Sequence, residues 1–416
     1  MSKTNQAIVA EHIETILPKL KSEPKGCAKY PYLNVVWGDH PYNTVMFGWD
    51  AHFIALRLAA KGEPEWLKFH TDNFLELQDP ETGFISSLSP LFSELAASDA
   101  DTYYPLMAQG ILVYGEKTGD LDWVRDAADG TRKLLGYYEK YQKDECGLFF
   151  NKFGWTGCDN DISIAVYEPG TVCSPWINSL IWLEYRSMAK LGAMLGDADM
   201  TSEFTAKAKS LQETIERLLW SEEDSCYAQY IRETKRATIK MEDELLNSQG
   251  VGLHSFLSFT NLTPLYAGLA DTNRAKVVID KYLSSKDHFL SDWGIRSLSK
   301  SSEFYNNAIW GNPPRFECPD RLTNSNWQGP VWVLCTYFMF HALLNYGYTS
   351  VAREAIDNLN KTLASDITNN GMMNENYNAV NGQPLYARNF GSWNVLADLM
   401  PDELETGKSV CDVFMK

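Results

Sequence analysis

No stretch of this sequence approaches the roughly 20 consecutive apolar residues of a membrane span, and its eight cysteines include no Cys-x-x-Cys pair. The first lack argues against a membrane-spanning helix. The second removes the usual zinc-ribbon and dithiol signatures. Positive charge is also short, with 37 Lys and Arg against 54 Asp and Glu and a net charge of −17. Nucleic acid and anionic membranes are therefore poor partners, because phosphate binding needs a basic surface. The seven histidines, at positions 12, 40, 52, 70, 254, 288 and 341, include no pair at helical metal-ligand spacing, so no metal is expected. A P-loop and a Gly-x-Gly-x-x-Gly turn are both missing, and no cofactor is expected either. The opening MSKTNQAIVAEHIETILPKL is polar and then amphipathic, without a signal-peptide apolar core. Together with the scattered cysteines, this predicts reduced thiols in a cytoplasmic protein.

What the chain does have is length, apolar residues and rings. Its 416 residues are 44% hydrophobic, with 13 Trp, 21 Tyr and 19 Phe. Rings at that density fill a large core, and they also line sugar-binding clefts, where the apolar face of a sugar stacks on them. Apolar residues recur at helical spacing, as at Ile13, Ile16, Leu17 and Leu20, and again in 121–141, 182–195, 204–220 and 351–363. Tight turns at 61–63, 118–120, 196–197, 270–271 and 346–348 join helical stretches, most with Gly as a C-cap and Asp or Thr nearby as an N-cap. Between them run long connections. The pattern predicts about twelve helices, at 5–20, 50–61, 64–77, 103–117, 121–142, 175–195, 198–220, 250–269, 271–284, 328–346, 349–364 and 391–400. Short turns alternating with long loops put all turns at one end and all loops at the other. The expected fold is all-α, an (α/α)6 toroid of six helical hairpins in a single domain over 1–416. An α-solenoid is the runner-up, although its repeats are shorter and its loops more uniform.

The long loops carry Trp37, Trp49, Trp155, Trp293, Trp310 and Trp327, so they mark the site end. Four segments there bear chemistry. In Phe47-Gly48-Trp49-Asp50, Asp50 reads either as a helix N-cap or as an acceptor for a sugar hydroxyl. In Phe153-Gly154-Trp155-Thr156-Gly157-Cys158-Asp159-Asn160-Asp161, two acids stand at a tight bend, with an Asx-turn or a bound cation as the plainer reading. Asn326-Trp327-Gln328-Gly329-Pro330-Val331-Trp332 flanks a helix-starting Gly-Pro with two rings, which core packing alone would also explain. In Asn374-Glu375-Asn376-Tyr377-Asn378, with Asn381-Gly382 and Phe390-Gly391-Ser392-Trp393 following, Glu375 is a lone acid among amides.

This ordered set of motifs, from about Phe47 to Trp393, resembles glycoside hydrolase family 63. It is similar in form to that family's single-domain subgroup, which acts on mannosylglycerate or glucosylglycerate. The resemblance implies inverting α-glycoside hydrolysis on an (α/α)6 barrel. It places the general acid on Asp159 and the general base on Glu375, with Asp161 the reserve acid. Trp49 and Asp50 match the ring and carboxylate that hold the sugar in the −1 subsite, and Trp327, Gly329 and Trp332 match its wall. Phe47, Trp155, Gln328, Tyr377 and Trp393 complete the expected substrate-binding set. The family more often has Arg at the position of Gln328, and Gln-Pro-Pro where this chain has Tyr103-Tyr104-Pro105. Trehalases share the barrel but carry Arg-rich signatures that this chain lacks.

Under this reading Asp159 is protonated at rest, its pKa raised by burial among Trp155 and Trp327. Glu375 stays ionised with help from Asn374 and Asn376 and activates a water on the opposite face of the sugar, the two carboxyl groups standing about 6.5–9.5 Å apart. The partner is a small-molecule sugar, and monomer and dimer are equally compatible with the sequence. A glycerate aglycone would call for Arg296, Arg315, Arg321 or Arg388. Two other classes fit the same barrel. A sugar epimerase would need a pair of bases, for which His254 in a late helix is the candidate, and a carbohydrate-binding protein would need no acid–base pair.

Overall fold

A computed structural model of the chain describes residues 3–92, 101–152, 157–242, 253–311 and 325–416. Helices dominate it: α1 (Asn5–Leu20), α2 (Gly48–Ala60), α3 (Glu65–Leu75), α4 (Met107–Thr118), α5 (Leu121–Tyr141) and a short α6 (Ile162–Ala165). They continue with α7 (Pro175–Leu195), α8 (Ala198–Leu218), α9 (Thr263–Tyr266), α10 (Thr272–Val278), α11 (Val333–Asn345), α12 (Thr349–Asn370), α13 (Leu399–Thr406) and α14 (Asp412–Met415). One population is amphipathic. In α5, Val124, Ala127, Ala128, Leu134, Leu135 and Tyr138 are buried and the intervening charges are not, the stripe of a helix covered on one side. The other population is buried all round, as in α2 from Gly48 to Ala59 and α11 from Val333 to Leu343.

That difference sorts the helices into two layers. The fully buried set is α2, α4, α7, the 259–266 segment, α11 and a 3-10 helix at Ser392–Asp398, and each packs against the next in that order. Ser392–Asp398 then packs against α2, which closes the ring. Outside it lie α3, α5, α8, α10 and α12, with α1 against α12 and Ser392–Asp398. This is the expected (α/α)6 toroid, the sixth hairpin being made from the two ends of the chain.

The hairpin turns follow from their capping residues. Gly119 and Gly196 end α4 and α7 at φ 70° and 72°, a backbone state that costs Gly little. Asp120 and Asp197 then accept backbone N–H bonds at the starts of α5 and α8. The long connections run into the N-terminal ends of the inner helices and carry short antiparallel ladders, such as 45–47 with 88–90 and 229–231 with 236–238.

Several helix limits differ from expectation. The 250–269 stretch is a strand at Leu253–Ser255, a 3-10 turn at Phe259–Leu262 and only one α-turn, because Ser258 caps the chain with Asn261 and Pro264 follows. Pro330 does not open a helix. Val331 pairs in extended form with Arg296 and Tyr377, and α11 starts at Val333. The 391–400 stretch is 3-10 before it becomes α13. Among the described residues no helix is long and apolar enough to cross a membrane.

Candidate active site

Each inner helix brings a ring to the end where the long loops lie. They are Trp49 on α2, Tyr104 before α4, Trp176 on α7, Phe259, Trp332 before α11, and Trp393. These rings touch in sequence. Trp49 lies 5.3 Å from Tyr104, 5.3 Å from Trp176 and 5.7 Å from Trp393, and Trp176 lies 5.8 Å from Phe259. Trp327 joins Phe259 at 5.8 Å and stacks on Trp332 at 3.8 Å and 10°. Trp176 packs in turn on Phe338, about one turn into α11, and Phe338 stacks on Tyr266, all three buried. The centre of the ring is thus filled with aromatic side chains below the site.

Three carboxyl groups meet above this floor. Asp50 is in the first turn of α2 but does not cap it; the N-cap position is Phe47, without a side-chain bond. Asp50 instead accepts from the Ser392 hydroxyl at 2.7 Å, across the seam that closes the ring. Burial and the charge of Asp159 push its pKa up to about 7, against the Ser392 bond. Asp159 is half-buried in the 157–161 turn and accepts from Ser325 at 2.9 Å. Gly157 makes that turn possible: at φ 75° its Cα faces the Trp49 indole so closely that a Cβ would lie 3.0 Å from the ring. Asn160 binds the third motif, accepting from the Trp327 N–H at 2.7 Å and, through its carbonyl, from the Gln328 amide at 2.9 Å.

Glu375 is 4% exposed and sits on an irregular hairpin, where its N–H donates to the Ala387 carbonyl at 2.9 Å. The Ala387 N–H returns a bond to its carboxylate at 3.1 Å, and the Tyr42 hydroxyl donates a second. Burial, followed by the charges of Asp159 and Asp50, still raises its pKa well above the ordinary value. The expectation that Asn374 and Asn376 keep Glu375 ionised is therefore corrected. The Asn374 N–H goes to Asp366 and the Tyr377 hydroxyl oxygen, and the Asn376 side chain has no hydrogen-bond partner among the described residues.

The remaining expected residues divide by orientation. Trp49, Trp327 and Trp393 bury indole N–H groups that lack a hydrogen-bond partner among the described residues. Phe47 is half-buried, edge-on to Tyr42 at 5.9 Å. Trp332 lies behind Trp327 and donates to the Asn326 carbonyl. Gln328 is buried between Asn160 and Asn306, so the uncharged residue here braces two loops. Gly329 meets the Asn306 carbonyl so closely that a Cβ would lie 2.2 Å from it. Tyr377 is fully buried and donates to Asp366 on α12 at 2.9 Å, which makes it a brace for the hairpin. Trp155, Arg315 and Arg321 lie outside the described residues.

Asp161 caps α6 through Ser163 and accepts from Thr260, an interior duty that explains its burial and leaves Asp159 as the acid nearer the surface. Arg296 spends one guanidinium nitrogen on the carbonyls of Lys286, His288 and Leu290, so it is a loop staple. Arg388 is exposed, and its charge acts on Asp366. His254 stands in the 253–255 strand beside Phe304, not in a helix. No group of three or more His, Cys, Asp or Glu among the described residues is placed to hold a metal. Tyr42 and Ser325 join the site unannounced, because a Tyr in a Pro-Tyr-Asn-Thr turn and a loop serine carry no pattern in sequence, whereas Ser392 stood in the Phe390–Trp393 motif without any sign of its bond to Asp50. Asn160 stood inside a motif, but its brace is visible only in three dimensions.

Comparison with known proteins agrees with this arrangement. The model of a family described as mannosylglycerate hydrolase MGH1-like glycoside hydrolase domain matches residues 42–393. The mannosyl-oligosaccharide glucosidase of Saccharomyces cerevisiae is 21% identical over 398 residues, covering 84% of this chain and 44% of its own length. The mannosylglycerate hydrolase of Rubrobacter radiotolerans is 27% identical over 183 residues, 43% of this chain and 34% of its own. The chain thus spans less than half the length of these relatives. Among solved structures, the family 63 mannosylglycerate hydrolase of Thermus thermophilus in complex with glucose superposes with a TM-score of 0.67 at 15% identity, covering 94% of this chain and 100% of that one. Neutral trehalase of Saccharomyces cerevisiae gives 0.62 at 15% identity, over 96% and 82%. Likeness at this identity establishes the shared barrel.

Proposed function

Because this chain belongs to the mannosylglycerate hydrolase MGH1-like glycoside hydrolase family, we propose that it is an inverting hydrolase of a small α-glucoside or α-mannoside, such as glucosylglycerate or mannosylglycerate. One observation carries the reading: the two motif acids, Asp159 and Glu375, act on each other's charge in a mostly buried site rimmed by rings. Three neighbouring carboxyl groups in a mostly buried site oppose one another's ionisation, so the site favours holding a proton. An acid–base pair needs that proton. Asp159 delivers it to the glycosidic oxygen, and Glu375, favoured in its ionised form by Ala387 and Tyr42, takes one from the attacking water. The two carboxyl groups are expected to stand about 6.5–9.5 Å apart; about 5 Å would suit retention instead.

The sugar in the −1 subsite replaces the missing partners of the Trp49, Trp327 and Trp393 indoles, which accords with the rule that buried donors are satisfied. Asp50, oriented by Ser392, accepts a sugar hydroxyl. One hydrophobic core cluster runs from Val9 to Met415, which supports treating 1–416 as a single catalytic unit. The described cysteines are free thiols, which supports a reducing, cytoplasmic setting. The test is proton NMR of the reaction with α-glucosylglycerate, α-mannosylglycerate and neutral α-disaccharides. The β-anomer should appear first, and Asp159→Asn and Glu375→Gln should each lower kcat by roughly 10²–10⁴-fold. First appearance of the α-anomer would refute inversion.

A further inference from the structure

Two large rings at the rim remain without a role in this scheme. Trp310 is 39% exposed, beside Ile309 at 46%, and Val380 on the facing loop is 68% exposed. Single exposed apolar residues need no explanation, but this group is joined. Trp310 lies 4.8 Å from Tyr386, ring to ring. The Ala379 N–H donates to Asn307 at 2.7 Å, which ties the two loops, and the Trp293 indole donates to the Val380 carbonyl at 3.0 Å, which anchors the second loop to the 290–295 hairpin. We infer that Trp310 and Tyr386 form an aglycone subsite that stacks a second, uncharged pyranose ring, so that the preferred substrate is an α-linked disaccharide or a longer α-glycoside. The inference rests on the hydrolase reading above and deepens it.

Position supports it first. Gly311, next to Trp310, is pressed so hard on Asn160 that a Cβ there would lie 2.1 Å from its amide nitrogen, and Asn160 follows Asp159. Tyr386 gives its carbonyl to the Asn376 N–H at 2.9 Å, and the next residue, Ala387, donates to Glu375. Tyr386 also acts electrostatically on Tyr42, the hydroxyl that binds Glu375. The ring pair therefore straddles the acid's turn and the base's hairpin. Direction supports it next. Buried rings fill the space below Trp49, so a sugar seated on that floor must point its aglycone outward, past the carboxyl groups and towards the rim. Chemistry supports it last. An indole face takes the C–H face of a pyranose, a phenol hydroxyl can bond a ring hydroxyl, and neither ring offers charge to a carboxylate.

The decisive comparison uses substrates that fill or leave empty this subsite. Wild type, Trp310→Ala and Tyr386→Ala are assayed on α-glucosyl and α-mannosyl fluoride, on neutral α-linked disaccharides, and on glucosylglycerate and mannosylglycerate. The fluorides carry no aglycone ring. Wild type should prefer a neutral disaccharide over both glycerates. Trp310→Ala should lower kcat/KM for it about tenfold or more, a change of about 1.4 kcal/mol, and leave fluoride hydrolysis within about twofold. Equal losses on disaccharide and fluoride would make the rings structural and overturn the subsite, as would preference for a glycerate unaffected by Trp310→Ala. If wild type cleaves none of these substrates, the hydrolase reading itself fails. The subsite is then judged by disaccharide titration of tryptophan fluorescence: weaker binding by Trp310→Ala supports it, and unchanged binding overturns it.

Discussion

Tyr42 shows how one hydroxyl can set the working range of the proposed acid–base pair. Glu375 is held up by burial and by two neighbouring carboxyl groups, and the bonds from Ala387 and Tyr42 oppose that rise. Removing the hydroxyl takes away a bond to the ionised form, so the pKa of Glu375 must move further up. In an inverting enzyme the base has to be ionised, and the acidic limb of the kcat/KM profile reports that ionisation. Tyr42→Phe should therefore shift the acidic limb to higher pH, while activity on the alkaline side of that limb falls much less. A pH–rate profile of the variant checks this, and an unmoved limb would mean that the hydroxyl does not reach the base. At this scale the sequence disclosed residue types better than their partners. Asp159 and Glu375 stood out as acids among rings and amides, whereas the flanking amides of Glu375 looked like its donors and are not. Neighbours in sequence on an extended segment face opposite ways, so Asn374 and Asn376 could not be assigned to Glu375 by adjacency.

The elements around the site work as braces between motifs. Asn160 ties the Asp159 turn to the third motif, Gln328 ties that motif to Asn306, and Asp366 at the end of α12 receives both Tyr377 and the Asn374 N–H. This makes Tyr377 a test of support against contact. If it touched sugar, Tyr377→Phe would chiefly raise KM. As a brace it should lower kcat roughly tenfold with KM nearly unchanged, because a small displacement of Glu375 costs rate, and lower the melting temperature because Asp366 loses a partner. Steady-state kinetics and a thermal melt separate the two outcomes. Legibility at this scale followed periodicity. The outer helices have one wet face, so α5, α8 and α12 are readable as stripes, and Gly–Asp turns mark the starts of α5 and α8. The inner helices are apolar all round, and burial on every side erases the 3.6-residue signal. That is why the sequence pattern starts α4 and α11 too early and predicts a full helix over 250–269.

The toroid as a whole depends on one seam, where the last inner element meets the first. Arg57 on α2 is 2% exposed and donates to Asp398 at 2.6 Å and to Glu14 on α1, so a single guanidinium joins the first outer helix with both inner partners. About two helical turns away, the same pair of elements places Asp50 against Ser392. The seam that closes the ring therefore also positions a carboxylate of the site. Arg57→Ala leaves Asp398 buried without its countercharge, a defect that costs about 3–5 kcal/mol in comparable sites. For a chain of this length the melting temperature should fall roughly 3–6 °C, and kcat should fall with it as Asp50 loses its register. Replacing both partners, Arg57→Met with Asp398→Leu, should recover much of the stability, since an apolar pair has no charge to bury. If the double variant regains the melting temperature but not kcat, the ion pair sets the geometry of the seam as well as its strength. If Arg57→Ala melts like the wild type, packing alone closes the ring.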